Sequence, residues 1–479
     1  MTSTNLPIED CLPEITAAVA KTQPLILKAP PGAGKTTGVP PALLKDGCLP
    51  AGQIFLIQPR RIAARAAAVR LSQLAGEPVG ATYGYHVRFD KKVTRDTRVI
   101  SMTTGILLRR LAGDPLLDGV ACVILDEFHE RSLELDLALG MLQRIRTTLR
   151  PELRLIVMSA TLDTGSVESL LKDATSIESE GRAFAVDIRY DELLRRDSKT
   201  RHGIANAVVS RISDAIKETQ GDILAFLPGV GEIHRTAEQA ASVTRGEDVC
   251  VLKLYGDLSP QQQDRVFAVS DQRKIVLATN IAETSVTIPG VTCVIDSGLA
   301  RVLQHDSAVA IPRLSLQPIS KASADQRAGR AGRTAPGICY RLWPKAMHRG
   351  RPDYTPPEVL RADLSSAVLT LIAWGERDVM DFPWVTPPKP DAFEAAKQLL
   401  ERLDAIDSDL NLTEIGRRMA RMPLHPRLAR LMLAAGQEGC VDEASVAAAL
   451  LTERDPFLRT NADSYQDPAV EIESCLLYT

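Results

Sequence analysis

Aromatic residues are scarce in this chain, 4% of its 479 positions, and paired-cysteine motifs are missing altogether. The eight cysteines (Cys11, Cys48, Cys122, Cys250, Cys293, Cys339, Cys440 and Cys475) include no C-x-x-C and have no histidine nearby at metal-ligand spacing, so neither a zinc site nor a disulfide framework is indicated. A reducing compartment suits such a chain. No apolar run approaches the roughly 20 residues that a membrane span needs, and the sequence does not open on a basic stretch followed by an apolar core. Cys475 stands one residue too far from the end for a prenylation box. A cytoplasmic protein with no membrane partner is the expectation. A dominant charge is missing too: 57 Lys and Arg against 60 Asp and Glu leave −3, which taken alone argues against a uniformly basic nucleic-acid coat.

The near-neutral total conceals an asymmetry. Residues 58–110 carry +8 and residues 321–351 carry +7, so the rest of the chain holds −18. Solvated helix faces are the plain alternative for either run, and the motifs decide between the two.

At about 150 residues per domain the length suits roughly three domains. Short apolar runs at Leu25–Leu27, Ile54–Ile57, Val120–Leu125, Leu155–Met158, Ile223–Leu227, Ile275–Ala278 and Cys293–Ile295 read as buried parallel strands. Helical connectors such as Ile62–Leu74 and Leu133–Leu149 separate them, the βαβ rhythm of doubly wound sheets, and the rhythm occurs once before and once after about residue 180. The proline-dense RGRPDYTPPE (349–358) reads as a linker or surface loop. Beyond it Leu364–Trp374, Ala392–Leu403, Arg417–Gly436 and Val441–Leu451 show helical spacing, and from Arg459 the pattern fades, as in a frayed or cut end.

Three motifs carry chemistry. The strand at Leu25–Leu27 runs into Ala29-Pro30-Pro31-Gly32-Ala33-Gly34-Lys35-Thr36-Thr37, a small-residue loop opening a helix. Such a loop cradles phosphate on backbone N–H groups. Gly32 and Gly34 allow close approach, Lys35 reaches the β and γ phosphates of ATP, and the Thr36 hydroxyl ligates Mg²⁺. Ala29 departs from the Gly of the strict pattern. The strand Val120–Leu125 delivers Asp126 and Glu127 where open α/β sheets place their ligands. Asp126 would hold Mg²⁺ and Glu127 would orient or deprotonate the attacking water; a helix cap is the plain alternative. Gln326-Arg327-Ala328-Gly329-Arg330-Ala331-Gly332-Arg333, read as a helix, puts Gln326, Arg330 and Arg333 on one face. There the glycines would permit close packing against the first lobe, and the arginines would reach the γ-phosphate.

The ordered set APPGAGKTT (29–37), QPRRIAAR (58–65), TTGILLRR (103–110), DEFH (126–129), SAT (159–161), ATNIAETSVTI (278–288) and PISKASADQRAGRAGR (318–333) resembles the DEAH-box branch of the superfamily 2 helicases. The phosphate loop and PLHPRLARLML (423–433) look like the bacterial HrpB type within it. The resemblance implies an α/β protein with two RecA-like doubly wound parallel-sheet lobes, then a winged-helix domain and part of a helical ratchet domain. The expected boundaries are 1–178, 179–346, 347–415 and 416–479. The resemblance also assigns roles. His129, Ser159, Thr161, Thr279 and Glu283 would couple hydrolysis to lobe movement. Arg70 and Phe267 would sandwich the adenine, although Phe267 could equally be core packing. Arg60, Arg61, Arg88, Thr103, Thr104 and Thr284 would touch the nucleic-acid backbone, and Arg301–Gln317 would form a β-hairpin near the strand-separation point. Backbone contacts and few aromatics imply weak sequence preference and strong salt dependence.

The resemblance implies an ATP-dependent RNA helicase or translocase moving 3′ to 5′ on single-stranded nucleic acid, RNA in preference to DNA, with ATP and Mg²⁺ as cofactors and unidentified adaptors as further partners. An ATP-gated clamp that never unwinds and a DNA-directed translocase are the alternatives. Phe128 replaces the expected Ala of the DEAH motif, a packing variant, and the chain stops part-way into the ratchet region, as a truncated product would.

Overall fold

A computed structural model of the chain describes residues 6–160, 165–181, 184–191, 201–246, 248–256, 258–283, 288–306 and 311–452. One unit comprises residues 1–362 with 383–386, and a second comprises 363–382 with 387–479. The first unit holds two open sheets. In the first sheet, β1 (Leu25–Lys28), β2 (Gln53–Gln58), β3 (Tyr83–Val87), β4 (Asp90–Lys92), β5 (Val99–Thr103), β6 (Val120–Leu125), β7 (Arg154–Ser159) and β8 (Thr175–Glu178) lie in the order β4-β3-β5-β2-β6-β7-β1-β8. Every pairing but β3–β4 is parallel, so seven strands end on one edge. That edge carries, strand by strand, all of the first-lobe motifs.

The strands are continuous apolar runs because helices cover both faces. Leu27, Leu56, Ile124, Ile156 and Met158 pack with Ile15, Val39, Leu43 and Leu71 of the flanking helices. Each aliphatic side chain so buried contributes about 1.5–3 kcal/mol.

The second sheet, β9 (Val186–Tyr190), β10 (Asp222–Phe226), β11 (Val249–Leu254), β12 (Arg273–Ala278), β13 (Val291–Asp296) and β16 (Gly337–Arg341), is wholly parallel in the order β11-β12-β10-β13-β16-β9. Between β13 and β16 in the chain, β14 (Leu299–Asp306) and β15 (Ile311–Pro318) pair as an antiparallel hairpin, with Arg301 opposite Leu316.

The helix holding the arginine motif spans only Lys321–Ala328. Gly329 caps it, and Arg330 and Arg333 lie in the turns that follow, so the expected single helical face for Gln326, Arg330 and Arg333 is not formed. Nor does either glycine pack on the first lobe. A Cβ at Gly332 would lie 2.5 Å from the carbonyl oxygen of Phe184, which leads into β9 of the same lobe, and one at Gly329 would meet only its own helix.

Half of the cations in the +7 run, Arg327, Arg330, Arg341 and Arg351, are buried. Arg327 is 1% exposed, with Nε 2.8 Å from Glu283 Oε2 and Nη1 2.9 Å from Asp296 Oδ1. Arg341 pairs with Asp325 and donates to the Tyr190 hydroxyl. Arg351 lies over the Trp343 ring and donates to the Gly298 and Ile319 carbonyls, so residues 349–358 begin as a packed strap rather than a free linker.

In the second unit, helices Ser365–Trp374, Pro390–Arg402, Glu414–Ala420, Pro426–Glu438 and Val441–Thr452 follow one another. The expected helix over Arg417–Gly436 is two, because Pro423 and Pro426 interrupt it and His425 caps the second by accepting the Arg427 N–H.

Replacing Arg327 by Ala strands two acidic side chains in the second lobe. Breaking such a buried pair by removing one partner destabilises by about 3–5 kcal/mol. A thermal melt should show that loss, and Arg327→Lys should recover only part of it, since an ammonium cannot fork between Glu283 and Asp296.

Candidate active site and nucleic-acid interface

The phosphate loop is built by backbone geometry. Gly32 and Gly34 take φ +90° and +92°, where only glycine is free of strain, and a Cβ at Gly34 would also strike Leu6 at 2.8 Å. Ala29 has no positive φ, continues the strand and is buried, so its methyl group costs nothing there. Pro30, Pro31 and Ala33 complete the turn, in which Ala33 N–H bonds to the Pro30 carbonyl, and Thr37 Oγ1 donates back to Gly34. Lys35 opens the helix Lys35–Asp46 with its ammonium on the Ala29 carbonyl at 2.5 Å.

Asp126 ends β6 wholly buried. Its Oδ2 accepts from Thr36 Oγ1 at 2.6 Å and Gln58 Nε2 at 2.8 Å, and its Oδ1 accepts from the Glu127 N–H at 2.8 Å. Burial first, and then the Glu127 charge, raise its pKa, against Lys35, Thr36 and Gln58. Glu127 is buried with φ +53° and ψ +37°, a left-handed conformation costing roughly 1–2 kcal/mol for a residue with a side chain. His129 stands between Glu127, 3.5 Å from its Nε2, and the Ala160 N–H, which its Nδ1 accepts at 3.2 Å. Phe128 packs in the core beneath Arg131.

The second lobe faces these groups. The Arg333 Nε lies 3.8 Å from where a Gly32 Cβ would be. Burial lowers the Arg333 pKa to about 10, opposed by Glu127. Burial and Arg333 together push the buried Arg330 well down, against Glu127 and Glu283, while its Nε bonds to the Glu283 carbonyl at 3.1 Å. Arg333 and Lys35 thus stand at the phosphate loop, with Arg330 close enough to Arg333 to repel it and the Glu127 charge acting on both guanidiniums. The Glu283 carboxylate also accepts from Ser323 Oγ at 2.5 Å. Gln326 is half-buried, and its Nε2 has no hydrogen-bond partner among the described residues. Ser159 ends β7, its carbonyl accepting the Ala29 N–H, and Thr279 starts the short turn Asn280–Ala282. Thr161 and Thr284 lie outside the described residues.

Family models match in the same order. The DEAD/DEAH box helicase model covers residues 10–170, the helicase conserved C-terminal domain 207–335, and the winged-helix and ratchet-like helicase-associated domains 398–424 and 425–473. The chain belongs to the DEAD/DEAH-box helicases. It is 41% identical over 451 residues to the ATP-dependent RNA helicase HrpB of Escherichia coli K12, covering 94% of this chain and 55% of that protein. It is 39% identical over 457 residues to the ATP-dependent RNA helicase HrpA of the same strain, covering 94% of this chain and 35% of that one. The crystal structure of the Escherichia coli DEAH/RHA helicase HrpB superposes with a TM-score of 0.87 at 39% identity, over 99% of this chain and 60% of that one. The chain thus spans from about a third to a little over half the length of these curated relatives.

Toward β3 the same edge carries the other motif residues. Gln58, Thr103 and the turn after β3 lie on adjacent strands, since Gln58 is opposite Thr103 and Met102 opposite His86. Arg61 and Arg88 are exposed, and Thr103 is half-buried. Thr104 is buried, its hydroxyl without a partner among the described residues. Arg60 is engaged: it reaches the Glu130 carboxylate at 3.2 Å and, across to the second lobe, the Asn280 carbonyl at 2.8 Å. Arg70 is exposed on helix Arg61–Ala75, where Arg65 reaches the second lobe, 3.7 Å from Asp264. Phe267 packs partly buried against that lobe's core.

Gln58 and Arg327 received no role from sequence reasoning, although both lie in the quoted motifs. A polar residue closing an apolar strand was the signal for Gln58; Arg327 is indistinguishable in sequence from its neighbouring arginines.

His129 makes the site sensitive to acid. Burial holds its pKa down from 6.5 to about 4, chiefly against the pull of Glu130. Above pH 6.5 both folded and unfolded chains carry neutral imidazole and the stability is full. As pH falls from 6.5 toward 4, the unfolded chain takes up a proton that the folded chain refuses, so stability falls. Denaturant titrations across this window should show His129→Gln losing about 3 kcal/mol less than wild type.

Proposed function

We propose that this chain is a nucleic-acid-stimulated ATPase that moves 3′ to 5′ along single-stranded RNA and unwinds or remodels it. The observation that carries the reading is the approach of Arg333, from the second lobe, to Gly32 of the phosphate loop, close enough for the Glu127 charge to act on it. The names of the relatives, ATP-dependent RNA helicases, point to RNA rather than DNA. The proposed division of the chain is 1–178, 179–346, 347–415 and 416–479, supported by the two sheets and the helices after them.

In this reading the loop N–H groups cradle the phosphates, and Lys35 exchanges the Ala29 carbonyl for phosphate oxygens. Glu127 orients and deprotonates the attacking water, its carboxylate aimed by the left-handed backbone. Arg330 and Arg333 offset the charge that develops on the transferred phosphoryl group. His129 carries a change at Glu127 to the backbone of Ala160, and Gln58 links Asp126 to the end of β2, two residues before Arg60. Thr36 and Asp126 are suited to hold Mg²⁺: the Thr36 hydroxyl lies 2.6 Å from the Asp126 carboxylate, whose pKa burial raises, so a cation there would favour the charged form. Bound there, the ion would neutralise charge on the β and γ phosphate oxygens.

The test is ATP hydrolysis with and without single-stranded RNA, and with DNA of the same sequence. RNA should stimulate wild type more than DNA does, and Glu127→Gln should lose roughly 10²- to 10⁴-fold in turnover while still binding ATP. Indifference to nucleic acid in wild type, or full turnover in the variant, contradicts the proposal.

A further inference from the structure

The turn between β3 and β4 presents an aromatic ring to solvent. Val87 pairs with Asp90, so Arg88 and Phe89 alone make the turn, and Tyr85 Oη donates to Asp90 Oδ2 at 2.8 Å to hold it. Phe89 has φ +66°, the left-handed conformation that the third position of a tight turn reserves for Gly or Asn. Its ring contributes nothing to the core. The residue is 70% exposed in a chain with few aromatics, and the Arg88 guanidinium lies 4.7 Å from the ring centroid. A bulky side chain at a strained, exposed turn marks a site of use rather than of packing.

The turn's position names the ligand. β3 runs parallel to β5 and β5 to β2, so Arg88 and Phe89 stand at the same sheet edge as Thr103 and the start of helix Arg61–Ala75. Apart from Asp90, held by Tyr85, and Glu130, paired with Arg60, the surrounding groups on that edge are cationic or hydroxylic and suit phosphates, whereas Phe89 offers a π-face. Exposed Lys91 and Lys92 on β4 extend the positive charge beside it. We propose that Phe89 is a base-stacking platform of this chain: a nucleobase of the single strand lies on its free face while Arg88 holds the ring from the other side and meets the adjoining phosphate. The inference rests on the nucleic-acid reading above and deepens it, since it puts one contact to a base among contacts that otherwise touch only backbone.

The test is equilibrium binding of two labelled strands with equal numbers of phosphates, a single-stranded RNA and an abasic one, to wild type, Phe89→Gly, Phe89→Trp and Arg88→Gln. Wild type should prefer the strand with bases. Phe89→Gly should lose about tenfold on that strand and nothing on the abasic one, with an unchanged salt slope. Phe89→Trp should keep the preference, and Arg88→Gln should weaken both strands and flatten the salt dependence. Phe89→Gly should melt no lower than wild type, because glycine relieves the turn, which separates lost stacking from lost folding. Equal binding of both strands by wild type and Phe89→Gly overturns the inference and leaves the ring to a protein partner. A wild type that binds neither strand overturns both the inference and the nucleic-acid reading beneath it.

Discussion

The buried carboxylate of Asp126 is the constraint on which the first lobe depends. Three elements meet on it: the phosphate loop through Thr36, β2 through Gln58 and its own strand end through the Glu127 N–H. A carboxylate without solvent is tolerated only where donors and cations surround it, so its ionised state requires Lys35, Thr36 and Gln58 to stay in position. Asp126 thereby holds the loop, Glu127 and β2 in register. Because Gln58 ends β2 opposite Thr103, the same contact ties the nucleotide half of the sheet edge to the half carrying Thr103 and Arg88.

The second lobe repeats this logic with the charges reversed. Arg327, buried against the Phe226 ring, holds Glu283 and Asp296 together and so fixes the turn on which Arg330 rests. Only after that internal pairing do Arg330 and Arg333 project toward the first lobe. The division of labour within one arginine-rich run is physical: Arg327 is held between two carboxylates of its own lobe, while Arg330 and Arg333 lie close enough to repel one another and to feel the Glu127 charge of the first lobe.

Much of this was legible in the sequence and some was not. The apolar runs of β1, β2, β6, β7, β10, β12 and β13 announced themselves because central parallel strands are buried on both faces. Among the strands that escaped notice, β4, β8 and β9 are edge strands with polar residues and no continuous apolar run. Motif spacing pointed to the residues of the phosphate loop and the acidic pair. The helix expected through Arg333 was misread because both glycines looked like packing residues within a helix, whereas Gly329 ends it and Gly332 makes room for Phe184. Counting charge marked the +7 run as a contact surface, but burial assigns Arg327, Arg341 and Arg351 to the second lobe's own interior, and no count of charges can separate those roles.

The central claim is that one phosphate site is completed from both lobes, and single-turnover ATP hydrolysis by Arg333→Ala tests it most directly. A thermal melt of the variant that matches wild type shows that the fold is intact, so that the rate reports on the site alone. The account predicts that the rate of the chemical step falls on the order of 10³-fold, the scale of a lost arginine finger, while ATP affinity changes by less than about tenfold. A variant that hydrolyses bound ATP at the wild-type rate would contradict it.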